Sequence, residues 1–271
     1  MSLDERTSYD RCLRSARRAA YPPGEFVEQE SFMRAGEILS VARRAGIGPG
    51  VSVLDLCCGV AGPGRFITSE LGCSYVGVDR SAGAIGLARV RATGLPCRFE
   101  VGEVPPVPTG PFDVVVLLET MLAFPDKDSL LRGVSAALVP GGRFAFTVEE
   151  GQPLTVAERQ AMPNAATVWP IPLVALVSRL SSVGLDVRWM QECTRSHRMV
   201  AEALHGAFLA ERSAISAELG DRAGDDLLAA HRRWSEWMTT GRIRKFAIIA
   251  EKADGRRADG ERLRGRIRSG G

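Results

Sequence analysis

Two carboxylates and a run of glycines carry the first chemical signal in this 271-residue chain. Asp55 is the penultimate residue of the apolar run Val51-Ser-Val-Leu-Asp-Leu56 and opens Asp55-Leu-Cys-Cys-Gly59-Val-Ala-Gly62-Pro-Gly64. Glycines after a strand let backbone approach a ligand, and the helix that follows presents free N–H groups. An acid just ahead of them would repel a pyrophosphate but suits a ligand that also carries a cation, such as a zwitterion. The order here is G-x-x-G-x-G, so neither the dinucleotide fingerprint G-x-G-x-x-G nor the phosphate loop G-x-x-x-x-G-K-[ST] is present. Asp79 ends a second apolar run, Ser74-Tyr-Val-Gly-Val-Asp79. An acid there can accept hydrogen bonds from both hydroxyls of a ribose.

Further candidates lie downstream. Glu149 and Glu150 close the run Arg143 to Glu149, and strand alternation turns one inward and one outward. His197 follows Cys193-Thr-Arg-Ser and is the candidate general base. His231, beside Arg232 and Arg233, reads as a surface residue, and Trp169, Trp234 and Trp237 as packing. The six cysteines form no C-x-x-C and have no zinc spacing to histidine, which excludes a disulfide scaffold and gives no metal site. Cys57 and Cys58 read as small residues under a turn rather than as catalytic thiols.

These residues need a scaffold that brings strand ends to one edge. Short apolar strands are expected at 51–56, 74–79, 97–101, 112–118, 143–149, 185–190 and 246–250, with helical stretches between them. That alternation predicts an α/β, doubly wound sheet, in which right-handed crossovers gather the post-strand loops along a single edge. A helix is also expected from Glu28 to Ala45, and Ser81 should cap the helix after strand two. Residues 1–50 then form a helical cap, 51–253 the main domain, and 191–240 a helical lid inserted between strands six and seven. The net charge is +3, but from Lys252 onward seven bases face three acids, so the body is near neutral. Residues 254–271 read as a disordered basic tail. No apolar run reaches the roughly 18–20 residues of a membrane span, and the first residues lack the apolar core of a secretory signal. The expectation is a soluble cytoplasmic protein without nucleic-acid or membrane partners.

With these blocks in place, the sequence resembles the class I S-adenosylmethionine-dependent methyltransferases. Val53-Leu-Asp-Leu-Cys-Cys-Gly59, Val76-Gly-Val-Asp79, Val101-Gly-Glu103, Phe112-Asp-Val-Val to Glu119, and Leu138-Val-Pro-Gly-Gly-Arg-Phe144 follow in the family's order. The resemblance implies a seven-stranded sheet with strand seven antiparallel and S-adenosylmethionine as cofactor. It implies cofactor contacts from Asp55, Leu56, Cys57, Gly59 and Gly62, from Asp79 and Arg80, from Gly102 and Glu103, and from Glu119. Catalysis on a small-molecule acceptor would fall to His197 and Glu149. Cys57 and Ala61 stand where the family commonly has glycine. Glu119-Thr-Met-Leu122 differs from the Asn/Asp-Pro-Pro-aromatic block of nucleic-acid amino methyltransferases. The other readings are a cyclase or rearrangement catalyst that retains its cofactor, and a non-catalytic binding protein. Lysine occurs only at 127, 245 and 252, an arginine bias that suits a GC-rich bacterial genome. No oligomeric state follows from the sequence.

Overall fold

The computed structural model describes residues 3–254, and the basic tail beyond Asp254 lies outside them. Seven strands form one sheet in the order β3-β2-β1-β4-β5-β7-β6. They are β1 (Ser52–Leu56), β2 (Ser74–Asp79), β3 (Cys97–Val101), β4 (Phe112–Leu117), β5 (Leu138–Glu150), β6 (Leu185–Glu192) and β7 (Arg244–Lys252). β7 runs antiparallel to both β5 and β6, and the other pairings are parallel. This is the fold expected from the order of blocks.

The β-branched runs at the sheet centre are buried on both faces, as parallel strands require. On one face Leu54, Leu56, Val115, Leu117, Phe144 and Phe146 pack under α5 (Lys127–Ala137) and α7 (Leu173–Ser182). On the other, Val53, Val114, Val116 and Ile249 meet α2 (Ala35–Arg44), α3 (Gly62–Leu71) and α4 (Ala82–Arg91). Ser81 caps α4 by accepting the Ala84 N–H at 3.2 Å. Among the described residues no helix is long and apolar enough to cross a membrane.

A third layer covers the carboxyl edge of the sheet. α1 (Leu3–Ala20) packs Leu13 and Ala16 against Val200, Leu204 and Phe208 of α8 (Thr194–Ala210) and Ile215 of α9 (Arg212–Leu219). α10 (Asp221–Thr240) adds Trp234, Trp237 and Met238, which pack with Leu154, Met162 and Val168 of the connection after β5. That connection includes α6 (Val156–Ala161), tied to the β7 approach by Arg242 Nε donating to Glu158 Oε1 at 2.6 Å. The helical insertion between β6 and β7 consists of α8, α9 and α10.

The helix expected from Glu28 begins only at Ala35. Glu28 has φ 64°, which breaks the α register. The buried Gln29 side chain replaces the missing turn. Its Nε2 donates to the carbonyls of Glu25 (2.8 Å) and Met33 (2.9 Å), and its Oε1 accepts the Val27 N–H at 2.6 Å. Residues 21–34 are thus a strap held in irregular form by one side chain that satisfies its backbone.

Candidate active site

Register places the strand ends side by side. Leu56 lies opposite Val78, and Asp79 opposite Val101, so the loops after β1, β2 and β3 open onto one cleft. The cleft has a volume of about 500 Å³. Asp55, Cys57, Gly59, Gly62, Asp79, Arg80, Gly102, Glu103 and Glu119 all line it. Arg80 and Glu103 are exposed residues there. Leu56 does not line it. Its side chain alternates away from the cleft and is fully buried in the core beneath α5 and α7, so only its backbone borders the loop.

The turn after β1 is left-handed at Cys57 (φ 60°), Gly59 (φ 56°) and Ala61 (φ 56°). Cys57 and Ala61, the two departures from the family glycines, adopt the conformation glycine favours, at a cost of about 1–2 kcal/mol each. Gly62 has a separate steric reason. A Cβ there would lie 2.3 Å from the Val27 carbonyl oxygen and 2.6 Å from the Glu28 backbone. It is the point where the strap crosses the start of α3. Gly64 similarly leaves room for Tyr75, whose hydroxyl would lie 2.1 Å from an added Cβ.

Tyr75 donates its hydroxyl to Asp55 Oδ2. Burial pushes the Asp55 carboxyl up to about 7. The Tyr75 hydrogen bond pulls it down, and the nearby Asp79 charge adds to the rise. Asp79 holds the loop: Oδ2 accepts the Gly59 N–H at 3.0 Å and Oδ1 the Ser81 N–H at 2.8 Å. Two ionised oxygens offer about four lone-pair sites, so further donors can still be accepted.

Behind Glu119, which lines the cleft, lies a buried charge cluster. Lys245 of β7 donates to Glu119 Oε2 at 2.7 Å and to Glu149 Oε1 at 2.6 Å. Glu149 and Lys245 are directly opposed in the β5–β7 register. Glu119 leaves β4 with φ 59° and also accepts the Phe32 N–H at 3.2 Å. Burial alone would raise its pKa, but Lys245, His197 and that N–H hold it at about 2. Burial works against the Lys245 charge too, yet the two carboxylates raise its pKa well above normal. Glu150, by contrast, points outward and accepts from Arg244 Nε at 2.9 Å, so the expected alternation of the two glutamates is observed. Sequence reading singled out Glu119 and Glu149 but not the cation that joins them.

A second cavity of about 280 Å³ lies beside this cluster, beneath α1, the strap, α8 and α10. Gln29, Glu30, Ser31 and Glu119 line both spaces. Its sides are apolar, from Phe32, Leu122, Leu204, Phe208, Leu227 and Trp234, while Glu149 and Lys245 contribute charge.

Two histidine expectations need correction. His197 is fully buried and lines neither cavity. The first turn of α8 folds it behind Glu119, with Nδ1 3.5 Å from Glu119 Oε1 and Nε2 3.7 Å from Glu37 Oε2. Burial depresses its pKa despite the pull of Glu119. It faces neither cavity, and no hydrogen bond joins it to Glu119. His197→Ala should lower stability by about 1–2 kcal/mol and leave cofactor affinity nearly unchanged; a thermal melt and a ligand titration check the two halves. His231 is not on the surface: it lines the second cavity, packed edge-on against Phe208 at 4.9 Å between ring centroids. Burial lowers its pKa to about 4, and Nδ1 lies 2.8 Å from the Leu227 carbonyl oxygen. The neutral ring donates there, which leaves Nε2 as an acceptor. The missed signal was the spacing Leu227, His231, Trp234, which shares one helical face.

Residues 53–142 match the family described as "Methyltransferase domain". Phosphoethanolamine N-methyltransferase 1 of Arabidopsis thaliana is 36% identical over 99 residues, 35% of this chain and 20% of that relative. The chain therefore matches about a fifth of the length of that curated relative. Among solved structures, the cyclopropane synthase MmaA2 of Mycobacterium tuberculosis superposes with a TM-score of 0.76 at 14% identity, covering 93% of this chain and 96% of that one. The [4+2]-cyclase SpnF gives 0.73 at 18% identity, covering 92% and 96%. At these identities the structural likeness establishes fold alone. Residues 53–142 thus match a methyltransferase domain, set in a chain whose fold is that of these solved structures.

Proposed function

We propose that this protein binds S-adenosylmethionine in the cleft after β1–β3 and methylates a small molecule held in the adjoining cavity. The observation that carries the reading is the shared wall: Glu119 and the strap border both spaces, so two ligands can meet there. The cleft residues fit the cofactor. Space is open at the Gly59 Cβ position, the α3 N-terminus faces the turn, and an acid stands at each of the first two strand ends. Asp79 would take the ribose hydroxyls, Asp55 the ammonium of the methionine part, and Gly102 and Glu103 the adenine edge. Bound there, the cofactor supplies an electrophilic methyl group on a sulfonium.

The protein's own contribution is alignment and exclusion of water. The N-terminal segment and the insertion act together as the cover, and the methyltransferase domain supplies the floor. The acceptor is a small metabolite rather than nucleic acid, because the second cavity is small and covered by helices. Incubation with methyl-labelled S-adenosylmethionine and fractionated metabolite extracts tests this. A product heavier by one labelled methyl supports it. Cofactor binding with unchanged product mass would favour rearrangement chemistry instead.

Asp55 makes cofactor binding pH-dependent. Its carboxyl must ionise to receive an ammonium, and its pKa stands at about 7. Affinity for S-adenosylhomocysteine should weaken up to about tenfold per unit as pH falls below that value. Titrations near pH 6 in two buffers of different ionisation enthalpy should show proton release. A flat affinity between about pH 6 and 8 would contradict the Asp55 assignment.

A further inference from the structure

The charge cluster between the two cavities is not closed on itself. Glu149 is 2% exposed and its Oε1 is taken by Lys245, but its Oε2 is buried and has no hydrogen-bond partner among the described residues. Glu149 itself lines the second cavity. A buried carboxylate oxygen without a donor is destabilising. The charges around the cavity do not cancel either. Arg17 pairs with Glu30 at 3.4 Å, Lys245 serves both Glu119 and Glu149, and His231 is neutral. Two cations against three carboxylates leave one negative charge in excess among the lining residues, in a space walled largely by aromatic and aliphatic side chains.

We infer that the acceptor is a small, largely apolar molecule whose protonated amine docks on the Glu149 carboxylate; that nitrogen, having no free lone pair, anchors the molecule and is not the atom methylated. An ammonium supplies both missing elements, a hydrogen-bond donor and a positive charge, and charge-assisted pairs of this kind are the stronger ones. A neutral hydroxyl would satisfy the oxygen but not the charge, and a carboxylate would be repelled. Phe32 and Trp234 give the hydrocarbon its contact, and the cavity of about 280 Å³ limits its size. This inference rests on reading the second cavity as the acceptor site.

Phenethylamine, 2-phenylethanol and 3-phenylpropionate form a matched cationic, neutral and anionic set. Each is titrated calorimetrically into the full chain saturated with S-adenosylhomocysteine, and again into the chain alone. The amine should bind at least about tenfold more tightly than the alcohol, and the acid should not bind. In Glu149→Gln the amine's advantage should fall to about threefold or less, with a cooperative melting transition confirming the fold. Equal affinity of amine and alcohol, no binding of the amine, or an undiminished preference in Glu149→Gln overturns the inference. Amine binding without any response to S-adenosylhomocysteine would instead uphold the subsite and reject the cofactor reading.

Discussion

Lys245→Met should destabilise the protein by about 3–5 kcal/mol, a fall in melting temperature of roughly 6–20 °C. Lys245 is the single ammonium between Glu119 and Glu149, and all three side chains are almost completely buried. Removing it leaves two carboxylates facing each other without the cation that offsets their desolvation. The sign of the pH effect follows. In the native protein Glu119 titrates at about 2, so its stabilising contribution is present above its unfolded pKa and is lost as acid approaches that value. In Lys245→Met one carboxyl is expected to rise above its unfolded pKa. The variant's deficit should therefore narrow as pH falls from about 8 to about 5. Adding Glu149→Gln to Lys245→Met should recover part of the loss, because it removes one uncompensated charge. Denaturant melts across pH for the three proteins check this; a deficit that is independent of pH would show that the cluster acts by packing rather than by charge.

Asp79→Ala should weaken cofactor binding by about 1.5–3 kcal/mol, a ten- to hundredfold rise in dissociation constant. Two losses combine. The ribose loses its charge-assisted acceptor, and the loop loses the carboxylate that now receives the Gly59 and Ser81 N–H groups. Asp79→Asn separates them. Its amide oxygen can still accept one of the two backbone N–H groups, so the loop is better preserved, while the negative charge toward the ribose is gone. An intermediate loss in Asp79→Asn is expected, with a melting temperature closer to the parent's. S-adenosylhomocysteine titrations on the two variants provide the numbers, and parent-like affinity in Asp79→Ala would remove the ribose assignment.

What could be read in advance was local. The ends of β1 and β2 were visible because a β-branched run followed by acid and glycine is a pattern of adjacent residues. The alternation of Glu149 and Glu150 was visible for the same reason. Lys245 was not, because its meaning depends on partners 96 and 126 positions away. In sequence, Arg244-Lys-Phe-Ala-Ile-Ile reads as the charged start of a strand, and only the β5–β7 register sets Lys245 opposite Glu149. His197 was placed correctly at the start of the insertion, but the direction in which α8 folds back was not encoded nearby. The helix expected from Glu28 failed for a different reason. The apolar spacing of Phe32, Ala35, Ile38 and Leu39 is genuine, yet Gln29 gives the backbone a competing set of hydrogen bonds. Cys57 and Ala61 show the reverse case, where the fold imposes a left-handed turn on residues that disfavour it.

The central claim is that the cleft holds S-adenosylmethionine beside an acceptor cavity. Calorimetric titration of S-adenosylhomocysteine into the unaltered chain near pH 8 tests it most directly. Saturable binding at one site per chain is expected, tighter than at pH 6. Absence of saturable binding at millimolar ligand, with a normal melting transition, would contradict it.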